Sequence, residues 1–203
     1  MSQVHLRRFT GSAIAPHLHD VADLRIRVFR EWPYLYQGDM DYEQRYLETY
    51  SRSPESLFVL AFDGERVVGA STGVPMADET DEFKQPFIAR GDDPGRIFYF
   101  GESVLLPTYR GQGVGVRFFQ EREGYACELG RFTHTAFCAV DRPSDHPRRP
   151  PDHVPLDDFW MRRGYVKQPS LTTLLTWLDL EESRPTAKPM TFWLKRLDGV
   201  DAN

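Results

Sequence analysis

Three glycines alternate with other residues where an apolar run gives way to an amphipathic stretch. Gly111, Gly113 and Gly115 follow the apolar run Ile97–Leu106 and introduce Val114–Leu129, which is predicted to be a helix. Glycine permits unusual backbone angles and lets a ligand approach the main chain closely. The start of the helix directs unpaired N–H groups and the positive end of its dipole at the turn. The spacing therefore predicts a site for a phosphate or pyrophosphate group.

Two widespread phosphate-binding loops do not fit this turn. The dinucleotide fingerprint Gly-x-Gly-x-x-Gly needs a third glycine at position 116, where the sequence has Val116. The P-loop needs a Lys-Ser or Lys-Thr pair after its last glycine, and Val116-Arg117 stands there instead. What remains is an Arg-x-x-Gly-x-Gly pattern over Arg110–Gly115, preceded by Leu-Pro-Thr-Tyr over Leu106–Tyr109.

This pattern resembles motif A of the GNAT acyltransferase superfamily, Gln/Arg-x-x-Gly-x-Gly/Ala. In that family the turn binds the pyrophosphate of an acyl-CoA, and the strand before it pairs with the pantetheine arm. The resemblance extends from Val104 to Gly115, which is more than a turn that merely joins a strand to a helix requires. Together with the second motif described next, it implies acetyl-CoA as co-substrate and the following binding residues: Val104, Leu105, Leu106, Arg110, Gly111, Gln112, Gly113, Val114, Gly115, Val116, Phe159 and Trp160.

A second stretch, Phe159–Tyr165, resembles the Phe-Tyr-x-x-x-Gly-Phe signature of motif B in the same family. Trp160 stands where many members have a tyrosine that protonates the leaving CoA thiolate. An indole N–H does not titrate in the useful range and cannot serve as that acid. Packing in the core is therefore the favoured role for Trp160. The strings Arg25–Tyr36 and Asp145–Trp160 further resemble a bacterial GNAT subgroup of undefined acceptor.

The composition narrows the class of protein. With 203 residues, a single domain over 1–203 is expected. The formal charge of −5 argues against a nucleic-acid binder. There is no apolar run near the ~20 residues that span a bilayer, so no membrane association is expected. The N-terminus carries no signal-peptide pattern, and Cys127 and Cys138 have no metal-binding spacing. These features predict a cytoplasmic protein without a metal site.

Hydrophobic periodicity predicts the order βααβββαβαββ, which is that of a GNAT domain. It implies an α/β (α+β) fold with a central mixed, largely antiparallel sheet. The resemblance to the GNAT family further implies about four helices flanking the sheet and two strands that splay apart at the CoA site. The first helix carries apolar residues at Leu18, Val21, Leu24 and Val28, and Asp63-Gly64 signals a hairpin. The other predicted helices are Asp41–Tyr50, Val114–Leu129 and Leu156–Arg163; the strands are Val4–Phe9, Leu57–Phe62, Val67–Val74, Ile97–Leu106, Thr133–Val140, Leu171–Leu180 and Met190–Leu197; long connections are expected over Ala77–Arg96 and Asp141–Pro155.

Acyl transfer to an amine needs a group that accepts the amine's proton, and three residues are candidates. Glu102 lies inside an otherwise apolar strand, where partial burial would raise its pKa towards neutrality. A strand glutamate that pairs with an arginine or faces solvent is an equally good interpretation. Asp141 ends the second strand expected to splay, where many members carry asparagine. His146 has a suitable intrinsic pKa, although an exposed loop histidine is the simpler reading.

The acceptor pocket is expected between the first two helices and the loop Asp141–Pro155. Trp32, Tyr34, Leu35 and Tyr36 would form an aromatic wall, and His146 would face it; packing around Pro33 is the alternative for at least two of these wall residues. Three loop arginines would meet an anionic acceptor or the CoA 3′-phosphate, or would simply be solvated: Arg142, Arg148 and Arg149.

The resemblance implies an N-acyltransferase that moves acetyl from acetyl-CoA to a small-molecule or peptide amine in a ternary complex. It implies no metal and leaves room for a homodimer. A covalent route is disfavoured, because no cysteine is well placed as an acyl carrier; Cys138, on a strand expected to splay, is the one that keeps this route open. A non-catalytic acyl-CoA-binding or sensing domain is the alternative, since neither the base nor the acid follows from the sequence.

Overall fold

The computed structural model describes residues 4–197 and contains eight strands and five α-helices within that range. The strands are β1 (His5–Thr10), β2 (Leu57–Asp63), β3 (Arg66–Pro75), β4 (Ile97–Tyr99), β5 (Ser103–Leu105), β6 (His134–Val140), β7 (Val166–Trp177) and β8 (Thr186–Arg196). The helices are α1 (Leu18–Phe29), α2 (Met40–Arg52), α3 (Asp81–Arg90), α4 (Val114–Leu129) and α5 (Asp157–Met161).

All eight strands belong to one sheet of order β1-β2-β3-β4-β6-β8-β7, with β5 paired to β3. The pairing of β4 with β6 is parallel, and the other pairings are antiparallel. The mixed, largely antiparallel sheet predicted from the sequence is therefore confirmed. Within residues 4–197, no helix has the length and apolar character needed to cross a membrane.

The predicted strand Ile97–Leu106 is in fact two strands, and this correction matters most for the site. β4 pairs with β6, the strand conformation is interrupted at Phe100–Glu102, and β5 then pairs only with β3. A side chain at Gly101 has no room, because its Cβ would lie 2.5 Å from the Tyr50 hydroxyl oxygen and 2.7 Å from Thr72 Oγ1. The break thus occurs where only a glycine fits under α2.

The region Ala77–Arg96 is not the irregular connection expected from its acidic residues and Pro86, because it contains α3. The helix forms in spite of the internal proline because Phe83 and Phe87 are buried against Tyr99 and Phe192. Tertiary packing here outweighs local propensity. Differences at the last two strands are smaller: β7 starts earlier and ends earlier than predicted, and β8 begins four residues before Met190.

The two faces of the sheet carry different helices, and this separation positions the site. Glu102 lies on the face covered by α1 and α2, where its carboxylate meets Arg25. Leu105 and Phe137 lie on the opposite face against α4, packing near Phe118 and Phe119 respectively. Consecutive residues of a strand alternate between faces, so one short segment serves both layers.

Candidate functional site

The first component of the site is a gap between β5 and β6. It opens because β4 pairs with β6, whereas β5, which follows β4 in the chain, does not. The pairing of β4 with β6 continues as far as Phe100, whose N–H donates to Ala136 O at 2.7 Å. Beyond it, Thr72 N donates to Glu102 O at 3.1 Å, and Leu106 N donates to Val68 O at 3.0 Å. In an antiparallel pair of strands, successive residues alternately direct their main-chain N–H and C=O groups towards the partner strand and away from it. The main-chain groups of Ser103 and Leu105 are therefore directed away from β3, into the gap.

The other wall of the gap is β6, and the same alternation applies to it. Asp141 N donates to Pro189 O at 2.9 Å, which sets the phase of its pairing with β8. Cys138 and Val140 therefore direct their main-chain N–H and C=O groups away from β8 and into the gap. The splayed pair expected from the sequence is present, with β5 and β6 as its walls, and an extended ligand containing amides could pair with both.

The glycine turn lies at the end of β5 and opens α4. Gly111 and Gly113 have φ values of +75° and +77°, and an added Cβ at either would meet no heavy atom within 4 Å. Val114 is the first helical residue, and Arg117 N is bonded to Gly113 O at 3.2 Å. The N–H groups of Val114, Gly115 and Val116 precede that bond and, as at any helix start, have no partner within the helix. The turn therefore offers a set of donors without helical partners, with a positive dipole behind them.

Two polar side chains of the turn are already engaged. Arg110 donates through Nε to Leu105 O at 3.2 Å and through Nη2 to Glu31 Oε2 at 2.9 Å. Gln112 Nε2 donates to Thr108 O at 3.1 Å, which closes the turn on itself. Arg110 therefore links the gap-facing carbonyl of Leu105 in β5 to Glu31, just after the end of α1.

Glu102 is enclosed and paired on the α1–α2 face of the sheet. Its Oε2 and the Oε2 of Glu43 both accept from the guanidinium of Arg25. Each carboxylate has a second oxygen, Oε1, that is buried and has no hydrogen-bond partner within residues 4–197. Burial raises the pKa of Glu102, the charge of Arg25 opposes that rise, and Glu43 adds to it. Both roles expected from the sequence thus remain, since the glutamate has an arginine partner and a pKa displaced towards neutrality.

Asp141 and Cys138 are the two other titratable residues of β6 and its end that could take part in the chemistry, and each is held by neighbouring side chains. Asp141 faces β7 and β8, where its Oδ2 accepts from Thr191 at 2.5 Å and its Oδ1 lies 3.6 Å from Lys167 Nζ. Cys138 lies 3.1 Å from the Tyr99 hydroxyl oxygen, and burial raises the pKa of its thiol to about 12. A thiol with that pKa stays protonated at neutral pH, which makes it a poor nucleophile.

The expected acceptor wall divides into an outer and an inner part. Trp32 contacts His146 and also His153, with ring centroids 5.1 and 5.9 Å apart. Tyr34 packs inward against Phe29 at 4.5 Å. Tyr36 is buried and forms a backbone bridge with the strand-like segment that leads to β8. The structure therefore brings Trp32 and His146 together, whereas the two tyrosines pack into the interior.

A cavity of about 590 Å³ connects this outer wall to the glycine turn. Its lining includes Trp32 and Leu35 on one side, Arg110 on another, and Arg148 and His153 from the proline-rich loop. The predicted cofactor turn and the predicted acceptor loop thus border one space.

Arg142 fixes the inner part of the wall and is not free for a ligand. Its guanidinium makes two bonds to Asp179, at 2.7 and 2.9 Å, and donates to the carbonyl oxygens of Pro33 and Tyr34. Both charged side chains are less than one tenth exposed. The suggestion that this arginine receives an anionic acceptor is replaced by a structural role, which joins the loop after α1 to the end of β6.

The second motif packs beside the start of α4. An added Cβ at Gly115 would lie 3.4 Å from Phe159 Cζ, so the first turn of α4 and α5 are in close contact. Trp160 packs against Phe137 and Trp193, each at 5.1 Å between ring centroids. This aromatic cluster agrees with the packing role expected for Trp160.

A comparison with protein families decides the assignment, because the model of the Acetyltransferase (GNAT) family matches residues 20–150. The chain belongs to the GNAT acetyltransferase family. The family resemblance recognised in the sequence is thereby confirmed. The GNAT match includes the glycine turn, both walls of the gap and the acceptor loop up to Pro150, and it ends before α5.

Solved structures give the same fold. An acetyltransferase of the GNAT family from Streptococcus pneumoniae is 13% identical, with a TM-score of 0.58 and coverage of 96% of this chain and 99% of that one. An acetyltransferase from Thermus thermophilus is 16% identical, with a TM-score of 0.57 and coverage of 97% and 100%. Arabidopsis thaliana NAA60, solved in complex with a bisubstrate analogue, is 12% identical, with a TM-score of 0.60 and coverage of 97% and 100%. No curated protein sequence gives a significant match.

Two buried arginines of this GNAT site were not singled out from the sequence. Arg25 lies on the buried face of α1 with Val21 and Leu24. Arg122 lies on the buried face of α4 with Phe118 and Ala126. A charged residue at an apolar phase of an amphipathic helix is the signal that could have identified both.

Proposed function

We propose that the protein is an N-acetyltransferase that moves the acetyl group of acetyl-CoA directly to an amine of a small molecule or peptide. One observation carries this proposal: the gap with inward-facing main-chain groups leads from the glycine turn to Glu102. Membership of the GNAT family supports acyl transfer in general, and the gap supports the particular path of the co-substrate.

Acetyl-CoA would be held mainly by main-chain groups. The N–H groups at the start of α4 suit its pyrophosphate, because anions bind favourably at helix N-termini. The amides of the pantetheine arm can pair with the N–H that Leu105 directs into the gap and with the main-chain groups of Val140. The thioester would then lie towards the inner end, beside Ser103 and Glu102.

The chemistry would consist of one addition and one departure. The amine nitrogen attacks the thioester carbonyl carbon, the C–N bond forms, and the C–S bond then breaks to release CoA as its thiolate. Glu102 would accept the proton that the amine loses, and its raised pKa suits that task near neutral pH. The Ser103 N–H would donate to the oxygen that becomes negative during addition. Trp160 gives the thiolate no proton, so the thiolate would be protonated by solvent.

A second candidate function, acyl-CoA binding without catalysis, is favoured by one observation. The Glu102 carboxylate is enclosed between α1 and α2, and only 1% of its side chain is exposed. An amine could not touch it without a bridging water or a small opening of these helices. A sensing domain would need no such access.

An amine-panel assay distinguishes the two functions. The protein is incubated with acetyl-CoA and single amines, and both free CoA thiol and acetylated amine are measured by mass spectrometry. The proposed transferase produces both in equal amounts with at least one amine. Tight acetyl-CoA binding by calorimetry with no acetylated product from a broad panel would favour the binding domain instead.

A further inference from the structure

Arg122 is a buried cation in the middle of α4 whose surroundings are unusual. Only 2% of the residue is exposed, and its guanidinium stacks on the ring of Phe100 at 4.2 Å. Within the described part of the chain, no carboxylate lies within ion-pair distance of it. Burial lowers the pKa of Arg122 to about 10, so the group remains charged at neutral pH. A buried charge without an ion-pair partner costs folding free energy, so the hydrogen bonds of Arg122 must offset that cost.

Apart from one carbonyl of its own helix, the hydrogen-bond acceptors of Arg122 lie at the break between β4 and β5 and on the facing residue of β3. Its Nη1 donates to Glu102 O at 3.2 Å and to Thr72 O at 3.3 Å, and its Nη2 donates to Ser103 Oγ at 2.9 Å. The positive charge therefore lies directly behind the segment that turns away from β6. Arg25 holds the Glu102 carboxylate from the opposite face of the sheet, so the two arginines act on different groups of the same residue.

The carbonyl of Glu102 and the N–H of Ser103 belong to one peptide unit. The carbonyl faces β3, where it accepts from Thr72 N at 3.1 Å in addition to Arg122. The N–H on the other side of that planar unit faces the gap. Donation to a peptide carbonyl polarises the whole unit and makes its N–H a better donor, and a charged donor strengthens the effect.

We propose that Arg122 is a positioning residue that polarises the Glu102–Ser103 peptide, so that the Ser103 N–H stabilises the negative oxygen formed on the thioester. The inference rests on the proposed function, because it assumes that acetyl-CoA lies in the gap. It assigns Arg122 an effect on bond polarity at the thioester, which is separate from the binding of CoA at the turn.

The test is a spectroscopic one that does not need an acceptor. Acetyl-CoA carrying ¹³C at its carbonyl is bound to the protein, and isotope-edited infrared spectra give the carbonyl stretching frequency in the complex and in solution. A polarising N–H lowers that frequency. We expect a lower frequency in the wild-type complex and a partial return to the solution value in R122M, which removes the charge but keeps an apolar stem against Phe100. R122K, which keeps the charge, should retain more of the lowering than R122M does.

Arg131→Met is the matched control, because Arg131 also stacks on a phenylalanine, Phe132, at 4.3 Å but lies beyond the far end of α4. It should leave the frequency unchanged. Calorimetry should give acetyl-CoA affinities within about threefold of wild type for R122M and R122K, since the pyrophosphate site is distant from the break. With an accepted amine, turnover of R122M should fall about 10- to 100-fold, which is part of the effect of removing a whole oxyanion donor. If R122M does not fold, R122Q is the second neutral variant.

The outcomes separate this inference from the proposed function. Wild-type lowering that is unchanged in R122M or R122Q would overturn the role of Arg122 and leave the transferase proposal standing. Equal changes in R122M and R131M would also overturn it, because the effect would then be non-specific. Equal loss in R122M and R122K would point to a loss of fit and not of charge, and would overturn it as well. Failure of the wild-type protein to bind acetyl-CoA would contradict the proposed function itself.

Discussion

The glycine turn supports a sharp prediction because the chain contains a matched control for it. Gly113 and Gly130 lie at opposite ends of α4, with φ values of +77° and +71°. An added Cβ would meet no heavy atom within 4 Å at either position. G113A and G130A therefore place the same strain on the backbone, about 1–2 kcal/mol of lost stability each, and neither creates a clash inside the protein.

The two variants should differ only in acetyl-CoA binding. A methyl group at Gly113 occupies open space at the turn, where the pyrophosphate must approach the N–H groups that begin α4. Hydrogen bonds to a charged acceptor contribute about 1.5–3 kcal/mol each. The loss of two such bonds would weaken binding by about 3–6 kcal/mol, or roughly 100- to 10,000-fold. G130A should bind as the wild-type protein does.

Calorimetric titration with acetyl-CoA gives the affinities, and thermal unfolding gives the stabilities of the same preparations. Similar losses of stability in both variants, with loss of binding in G113A alone, would agree with the reasoning. An acetyl-CoA affinity of G113A within threefold of that of G130A would refute the assignment of the turn as the pyrophosphate site.

Four further predictions concern charged side chains. R110A should weaken acetyl-CoA binding in calorimetry less than G113A does, since main-chain groups share the contact; a larger loss would make the side chain the principal ligand. E102Q should lower turnover about 100- to 10,000-fold with little change in acetyl-CoA affinity, and the acidic limb of the pH–rate profile should disappear; an unchanged profile would remove Glu102 from the mechanism. R142A should lower the unfolding free energy by about 1.5–3 kcal/mol, because it removes the charged hydrogen bonds to buried Asp179 and leaves that carboxylate only Lys188, 3.7 Å away; a loss below about 1 kcal/mol in denaturant titration would contradict this. Burial raises the pKa of Glu79 to about 7. The folded state therefore binds this proton more tightly than the unfolded state, and stability should fall as pH rises from about 5 to 7, by up to about 1.4 kcal/mol per pH unit. E79Q should flatten that slope, and equal slopes in both proteins would contradict the account.

The parts of the site that follow from local sequence were predicted well. The turn over Arg110–Gly115 is a short-range signal, because the backbone angles of its glycines and the start of α4 lie within a few residues of one another. Family membership followed from the same residues. Trp160 was correctly expected to pack, since an indole at that position leaves no titratable group.

The parts that depend on contacts between distant segments were not predictable in the same way. The break at Phe100–Glu102 depends on Tyr50 of α2 and on the register with β3, neither of which is visible in the run Ile97–Leu106. The helix α3 depends on a sheet surface that receives Phe83 and Phe87. The apolar phases of α1 and α4 mark Arg25 and Arg122 as buried, but only the paired strands show that both act on Glu102.

The most direct test of the account is a crystal structure of the protein with acetyl-CoA bound. We expect the pyrophosphate at the N–H groups of Val114–Val116 and the pantetheine arm between β5 and β6. The thioester oxygen should lie about 3 Å from Ser103 N. Acetyl-CoA bound outside the gap, or with its thioester directed away from Ser103 and Glu102, would contradict the central claim.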